Sequence, residues 1–177
     1  PLAGETVGQG ADQDLHAARR LLESGGDRRR TWTITPSTAA ELPPALEALL
    51  VARIDRLEPG ARRLAQVASV VGREFPVSVV AAVAGSADPD SDIASLLRAE
   101  IVREVRRFPE LECTFRHGLL QEAALSTLTP ASQRELYGRV GRAMESHLGD
   151  HVDEQLEQLA FYFYRSDDTG KAFDYLE

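Results

Sequence analysis

Between residues 101 and 116 the apolar pattern of this chain changes period, and that change restricts the fold more than any other feature of the sequence. From residue 42 to residue 99 apolar residues recur every three or four positions, as they do on helices. Ile101-Val102-Arg103-Glu104-Val105-Arg106-Arg107 and Leu111-Glu112-Cys113-Thr114-Phe115-Arg116 then run close to a period of two, on either side of Phe108-Pro109-Glu110. Two such runs about a short turn containing proline predict a β-hairpin. A lone hairpin is marginal in water, so one of its faces has to pack on the neighbouring helices.

The helices are read from their punctuation. Leu42-Pro43-Pro44 pre-sets a helix start, and Leu46, Leu49, Leu50, Ile54 and Leu57 are expected on one face of a helix over 42–57. Glu58-Pro59-Gly60 breaks it; a second helix over 61–71 carries Leu64, Ala65, Val67, Ala68 and Val71, and Gly72 ends it. A third is expected over 76–83 and a fourth over about 90–99, with Ile93, Leu96 and Leu97 inward. Helical spacing returns at 117–128. Thr129-Pro130 then caps a long helix to about residue 148. Compact helices followed by a two-stranded wing make a winged-helix domain the natural assembly of 42–128. Helices over 152–164 and 171–177, joined by a polar turn, resemble one tetratricopeptide unit, so 129–177 is read as a helical linker and the start of such repeats. Tyr162, Phe163, Phe173 and Tyr175 are expected to close a repeat interface there. Residues 1–11 lack periodicity, 12–24 has the spacing of a short helix, and Thr31-Trp32-Thr33-Ile34-Thr35 reads as a strand. Both ends read as cut. The expected fold is therefore mainly α, with one small hairpin.

Bulk properties exclude several classes. The chain has 177 residues, a net charge of -8 and one cysteine. No apolar run approaches the roughly 20 residues needed to span a bilayer, and the start has neither the basic nor the apolar segment of a signal peptide. A single cysteine allows no disulfide within the chain, which fits a reducing, cytoplasmic setting. Cys113, inside the alternating run, reads as a strand residue rather than a nucleophile. The acidic balance argues against nonspecific nucleic-acid binding, which needs a basic face.

Taken in order, Leu42-Pro43-Pro44, Ala52-Arg53-Ile54-Asp55-Arg56-Leu57, Val70-Val71-Gly72-Arg73-Glu74-Phe75, Pro109-Glu110-Leu111-Glu112 and Phe115-Arg116-His117 before Gln121-Glu122 resemble the later part of the ATPase module of STAND-class signalling proteins. The resemblance covers about residues 13–177. It is closest to modules attached to bacterial class III adenylate or guanylate cyclases. It implies that 1–41 contains a disordered start and the end of the ATPase helical lid, that 42–128 is the winged helix, and that 129–177 leads into tetratricopeptide-like repeats. It further implies a parent that uses ATP or ADP with magnesium, an upstream nucleotide-binding domain as partner, and protein partners met through repeats. The chain departs from the pattern at Glu100, where glycine is common, at Leu125, where an aromatic is common, and at Tyr137, where histidine is common.

The sequence contains no Gly-x-x-x-x-Gly-Lys-Ser/Thr loop and no acidic pair closing an apolar strand, so it is expected to be a non-catalytic, regulatory piece with no cofactor of its own. The resemblance assigns His117 to contact a bound diphosphate in the resting state; a histidine capping its own helix or hydrogen-bonded in the core is the bland alternative. Arg53, with Arg56, is a candidate for the interface toward the nucleotide domain, against the reading of solvent-facing charge. Arg73-Glu74 reads as a local pair or cap. Arg28-Arg29-Arg30 reads as a solvated turn, having no glycine loop or helix start beside it to cradle an anion. His16, His147 and His151 have no metal-ligand spacing. Two other readings stay open: part of a large ATP-binding transcription regulator, or a DNA-binding winged helix whose Arg103, Arg106, Arg107 and Arg116 contact phosphates. Glu104, Glu110 and Glu112 on the same hairpin weigh against the last.

Overall fold

The computed structural model describes residues 44–175; the expectations for 1–43 and for the final two residues lie outside the described residues. The described chain is mainly helical, with a small three-stranded sheet. Helix α1 spans Pro44–Asp55 and α2 spans Pro59–Val71. Strand β1, Glu74–Pro76, leads directly into α3, Val77–Ala84, and then α4, Pro89–Arg98. The hairpin follows as β2, Val102–Arg106, and β3, Glu112–Phe115. Helix α5 is Gly118–Ser126, α6 is Pro130–Leu148, a 3-10 turn covers Gly149–Glu154, α7 is Leu156–Arg165 and α8 is Thr169–Asp174.

The expectation of a two-stranded hairpin alone is corrected. β1 adds a third strand, giving the order β1-β3-β2, with Glu74 opposite Thr114, Phe75 opposite Cys113 and Pro76 opposite Glu112. A three-residue segment ending in proline has no period of its own; it is a strand because β3 offers it a partner. On the other side β2 pairs antiparallel with β3 and slips register between Glu104 and Arg106, a bulge around Val105.

Helix α2 is the hub. Ala61, Leu64, Ala65, Val67, Ala68, Val70 and Val71 are buried, and α2 packs on α1, α3, α4, α5, α6 and β1. Gly60 lets α4 come close to its first turn: an added Cβ would lie 2.3 Å from Asp92 Oδ1. Asp92 also accepts a hydrogen bond from Ser86 Oγ at 2.6 Å. The Asp92 carboxylate thus stands at the start of α2, where unpaired amides and the helix dipole favour negative charge.

One buried cluster runs from Ile54 to Ala172 without a break at residue 128. Tyr162 and Phe163, expected to close a repeat interface, lie fully buried in this common core. The Tyr162 hydroxyl donates to the Val71 carbonyl oxygen at 2.6 Å and accepts from Gln158 Nε2 at 2.7 Å. It therefore satisfies an end carbonyl of α2 from a helix ninety-one residues away in sequence. Helices α6 and α7 approach closely at Gly141, where a Cβ would lie 3.0 Å from the Phe163 ring. Tyr175 stacks on Phe163 with ring centroids 5.8 Å apart, whereas Phe173 is 66% exposed.

The apolar residues of α1 are also not one buried stripe. Ile54 is fully buried and Leu50 and Leu57 pack against the core, but Leu46 is 38% and Leu49 69% exposed. Leu46, Leu49, Arg53 and Arg56, spaced three or four apart, form an outward stripe.

Glu100 has φ +54°, in the left-handed region. The glycine common there in the family resembled has a physical reason, since a side chain costs about 1–2 kcal/mol in that conformation. Arg116 lies 3.4 Å from the Glu100 carboxylate, and such an exposed pair offsets only about 0–1 kcal/mol. Glu100→Gly is expected to raise unfolding stability by up to about 1 kcal/mol, and Glu100→Val to lower it by about 1–2 kcal/mol, in urea titrations with unchanged slope.

Candidate functional site

Both candidates border the bend that joins α4 to β2, Arg53 through a direct bond to it and His117 through Arg116, the residue before it. The Arg53 guanidinium donates through Nη2 to the Ala99 carbonyl oxygen at 2.7 Å, fastening the end of α1 to the end of α4. One residue on, Glu100 pairs with Arg116, and the Arg116 amide donates to the Ile101 carbonyl oxygen at 3.0 Å. His117 follows at the N-cap of α5, in extended conformation, with its imidazole exposed and making no cap bond. Its carbonyl oxygen accepts from Leu120 N at 3.0 Å, which opens the helix. The capping alternative thus falls to the His117 backbone and leaves the side chain out of it.

The charges at this bend are unbalanced. Arg53, Arg98 and Arg116 project around Ala99-Glu100-Ile101, Glu100 is the one carboxylate among those three residues, and the uncapped start of α5 adds the positive end of a helix dipole. Arg98 is turned back onto Ser95 Oγ at 2.8 Å, whereas the His117 imidazole forms no hydrogen bond among the described residues. Such an arrangement can hold an anion through charge-assisted hydrogen bonds. The α5 side of the bend is set by packing: Gln121 Nε2 donates to the Ser69 carbonyl oxygen at 3.2 Å, and Gln66 Nε2 donates to Thr127 Oγ1 at 3.0 Å.

The remaining candidates are placed elsewhere. Arg56 is exposed on the outer stripe of α1. Asp55 pairs with Arg62 at 3.5 Å rather than with Arg53. Arg73 and Glu74 form neither a pair nor a cap; the Arg73 carbonyl oxygen accepts from the Phe115 amide at 2.9 Å and Thr114 Oγ1 at 3.1 Å, so this position serves the sheet through its backbone. Cys113 is buried in β3, and burial, then the nearby Glu104 carboxylate, pushes its thiol up to about 11. At neutral pH it carries almost no thiolate, as the strand reading expects. Of the hairpin arginines, Arg106 is bound to the buried Glu112 and Arg107 to Glu104, while Arg103 has no carboxylate partner among the described residues.

Sequence reasoning missed the role of Glu110. Its Oε2 accepts from Ser78 Oγ at 2.8 Å and its Oε1 lies 3.0 Å from His147 Nε2. One carboxylate thereby joins the hairpin turn, the first turn of α3 and the last turn of α6. These partners lie 32 or more residues away, and nothing local in the sequence marks them. His151 pairs locally with Glu154 at 3.5 Å, and His16 lies outside the described residues. Among the described residues no three His, Cys, Asp or Glu side chains are grouped as metal ligands, and no helix is long and apolar enough to cross a membrane. Compared with family models, with curated proteins and with solved structures, the chain finds no match in any of the three.

Proposed function

We propose that this chain is the regulatory part of a STAND-type, ATP-dependent signalling protein. In this reading a winged helix senses the state of a neighbouring nucleotide-binding domain, and the tetratricopeptide-like helices α6 to α8 carry the output toward protein partners. The output domain is a nucleotide cyclase, the parent is cytoplasmic and binds ATP or ADP with magnesium, and this part does no chemistry of its own. The observation that carries the reading is that Arg53 bonds directly to the bend between α4 and β2, while His117, at the uncapped start of α5, follows the Arg116 that pairs with the same bend. The element order helix, strand, helix, helix, hairpin with sheet order β1-β3-β2 supports the winged-helix assignment. The outer stripe of α1, two leucines followed by Arg53 and Arg56, suits a docked domain that presents an anion at one end.

DNA recognition is the weaker reading. Arg106, Arg107 and Arg116 each have a carboxylate partner, and α4, which would enter a groove, begins with exposed Asp88 and Asp90.

The test is His117→Ala in the whole polypeptide that carries the nucleotide domain. A charge-assisted hydrogen bond to phosphate contributes about 1.5–3 kcal/mol, so diphosphate affinity should fall about ten- to a hundred-fold and basal output should rise, with an unchanged circular dichroism spectrum. Nucleotide binding equal to wild type, together with a melting temperature several degrees lower, would make His117 a structural residue and defeat the proposal.

A further inference from the structure

We propose that Ser78, Glu110 and His147 form a proton-dependent clasp, which holds the hairpin turn firmly on α3 and α6 when His147 is protonated and loosely when it is not. The three side chains come from three elements. Glu110 Oε2 accepts from Ser78 Oγ, in the first turn of α3, at 2.8 Å, and Glu110 Oε1 lies 3.0 Å from His147 Nε2, in the last turn of α6. This is not the arrangement of a nucleophilic triad, because the hydroxyl meets the carboxylate and not the imidazole. The inference stands apart from the proposed function, since it concerns the turn and not the bend.

Few other contacts hold the turn. Phe108 at its tip is 85% exposed, and the side chains of Val105 and Arg107 also stand in solvent. Besides Glu110, the tie to the helices is Leu111, whose side chain packs on the core and whose carbonyl oxygen accepts from Val77 N at 2.9 Å.

The charges around Glu110 make the clasp depend on one proton. The side chains of His147 and Glu110 are 30% and 31% exposed, so their attraction is only partly screened. On the hairpin, Arg106 and Arg107 are bound to Glu112 and Glu104, while Arg103 and, on β1, Glu74 lie opposite Thr114, away from the turn. Helix α3 carries no charged residue. On α6, Glu145 is held by Lys171, and Arg139 reaches Glu135 and the Val83 carbonyl oxygen. On the 3-10 turn that follows, Asp150 and Asp153 are exposed and His151 pairs with Glu154. Among the described residues His147 is thus the one cation that meets Glu110, and only as an imidazolium. Attraction to Glu110 and to the negative end of α6 acts on the charged ring and not on the neutral one. Histidine changes charge between about pH 5 and 8, whereas the bond from Ser78 does not depend on that proton. The added hold is therefore present at the acid end of that range and lost as pH rises through it.

The test is hydrogen exchange of the Val77 amide, which is bonded to the turn, followed by NMR on the full chain from pH 5.5 to 8 and corrected for the intrinsic pH dependence of exchange. Protection should fall about three- to tenfold as pH rises over that range. The Gly72 amide, bonded to the Ala68 carbonyl oxygen at the end of α2, should show no such fall. His147→Gln keeps a hydrogen-bond donor without the titration and should leave Val77 protection flat with pH. Glu110→Gln, which keeps the imidazole, should do the same. Ser78→Ala should lower protection at every pH and preserve the fall. A flat wild-type profile, an equal fall at Gly72, or a fall that survives in either His147→Gln or Glu110→Gln would overturn the proposal.

Discussion

Tyr162→Ala should destabilise the fold by about 4 kcal/mol, the upper part of the range for emptying a buried aromatic site. The side chain is fully buried, and its ring lies 6.5 Å from that of Tyr137 and 6.1 Å from that of Phe161. Alanine leaves a void that the α2, α6 and α7 contacts cannot close without moving, and it strips the Val71 carbonyl oxygen of its donor. Burial pushes the phenol of Tyr162 far above its usual range, consistent with a site that water does not reach. Tyr162→Phe keeps the volume and should lose about 1–2 kcal/mol, the expense of leaving the Val71 and Gln158 groups unpaired. Urea unfolding of the two variants separates ring volume from hydrogen bonding; equal losses would refute the cavity argument.

Phe115→Ala should lower stability by about 3–5 kcal/mol and loosen the candidate site as well. Phe115 is fully buried at the end of the central strand, its ring centroid 5.7 Å from that of Phe75. The next two residues are Arg116 and His117, so the pair anchors the segment that sets the bend. Phe75→Ala and the double variant complete a cycle in which the aromatic pair should couple by about 0.5–1.5 kcal/mol. Hydrogen exchange of the Arg116 amide, which is bonded to Ile101, should quicken in Phe115→Ala. Unchanged exchange there would show that the bend is held independently of the aromatic pair.

What the sequence revealed was periodic or punctuated. The helices ending at Gly72 and beginning at Thr129-Pro130 follow from local chemistry: the Thr129 side chain accepts from the Ser132 amide at 3.2 Å. The hairpin followed from its change of period. Strand β1 did not, because Glu74-Phe75-Pro76 becomes a strand only beside β3, some forty residues on. Periodicity identified the apolar residues of α1 without saying which had partners, so Leu46 and Leu49 were placed with Ile54 although they face outward. At the candidate site the residue types were legible and their placement was not. Arg53 reaches Ala99 across 46 positions, and only tertiary packing brings that bond to the bend that Arg116 also holds. The left-handed turn at Glu100 was marked by a missing glycine, a signal that gains a physical meaning once the torsion is known.

The two margins of the small sheet bear on the solubility of this chain. An open strand edge is a row of unpaired amides and carbonyls on which another chain can add a strand, and stacked strands are a route to insoluble aggregates. On one margin β1 is three residues long and ends in Pro76, which has no amide hydrogen to offer. On the other, β2 is broken by the bulge at Val105 and studded with Arg103, Glu104 and Arg106, so an incoming strand would meet a twisted edge lined with charge. Among the described residues, neither margin of the sheet is suited to template a growing ladder.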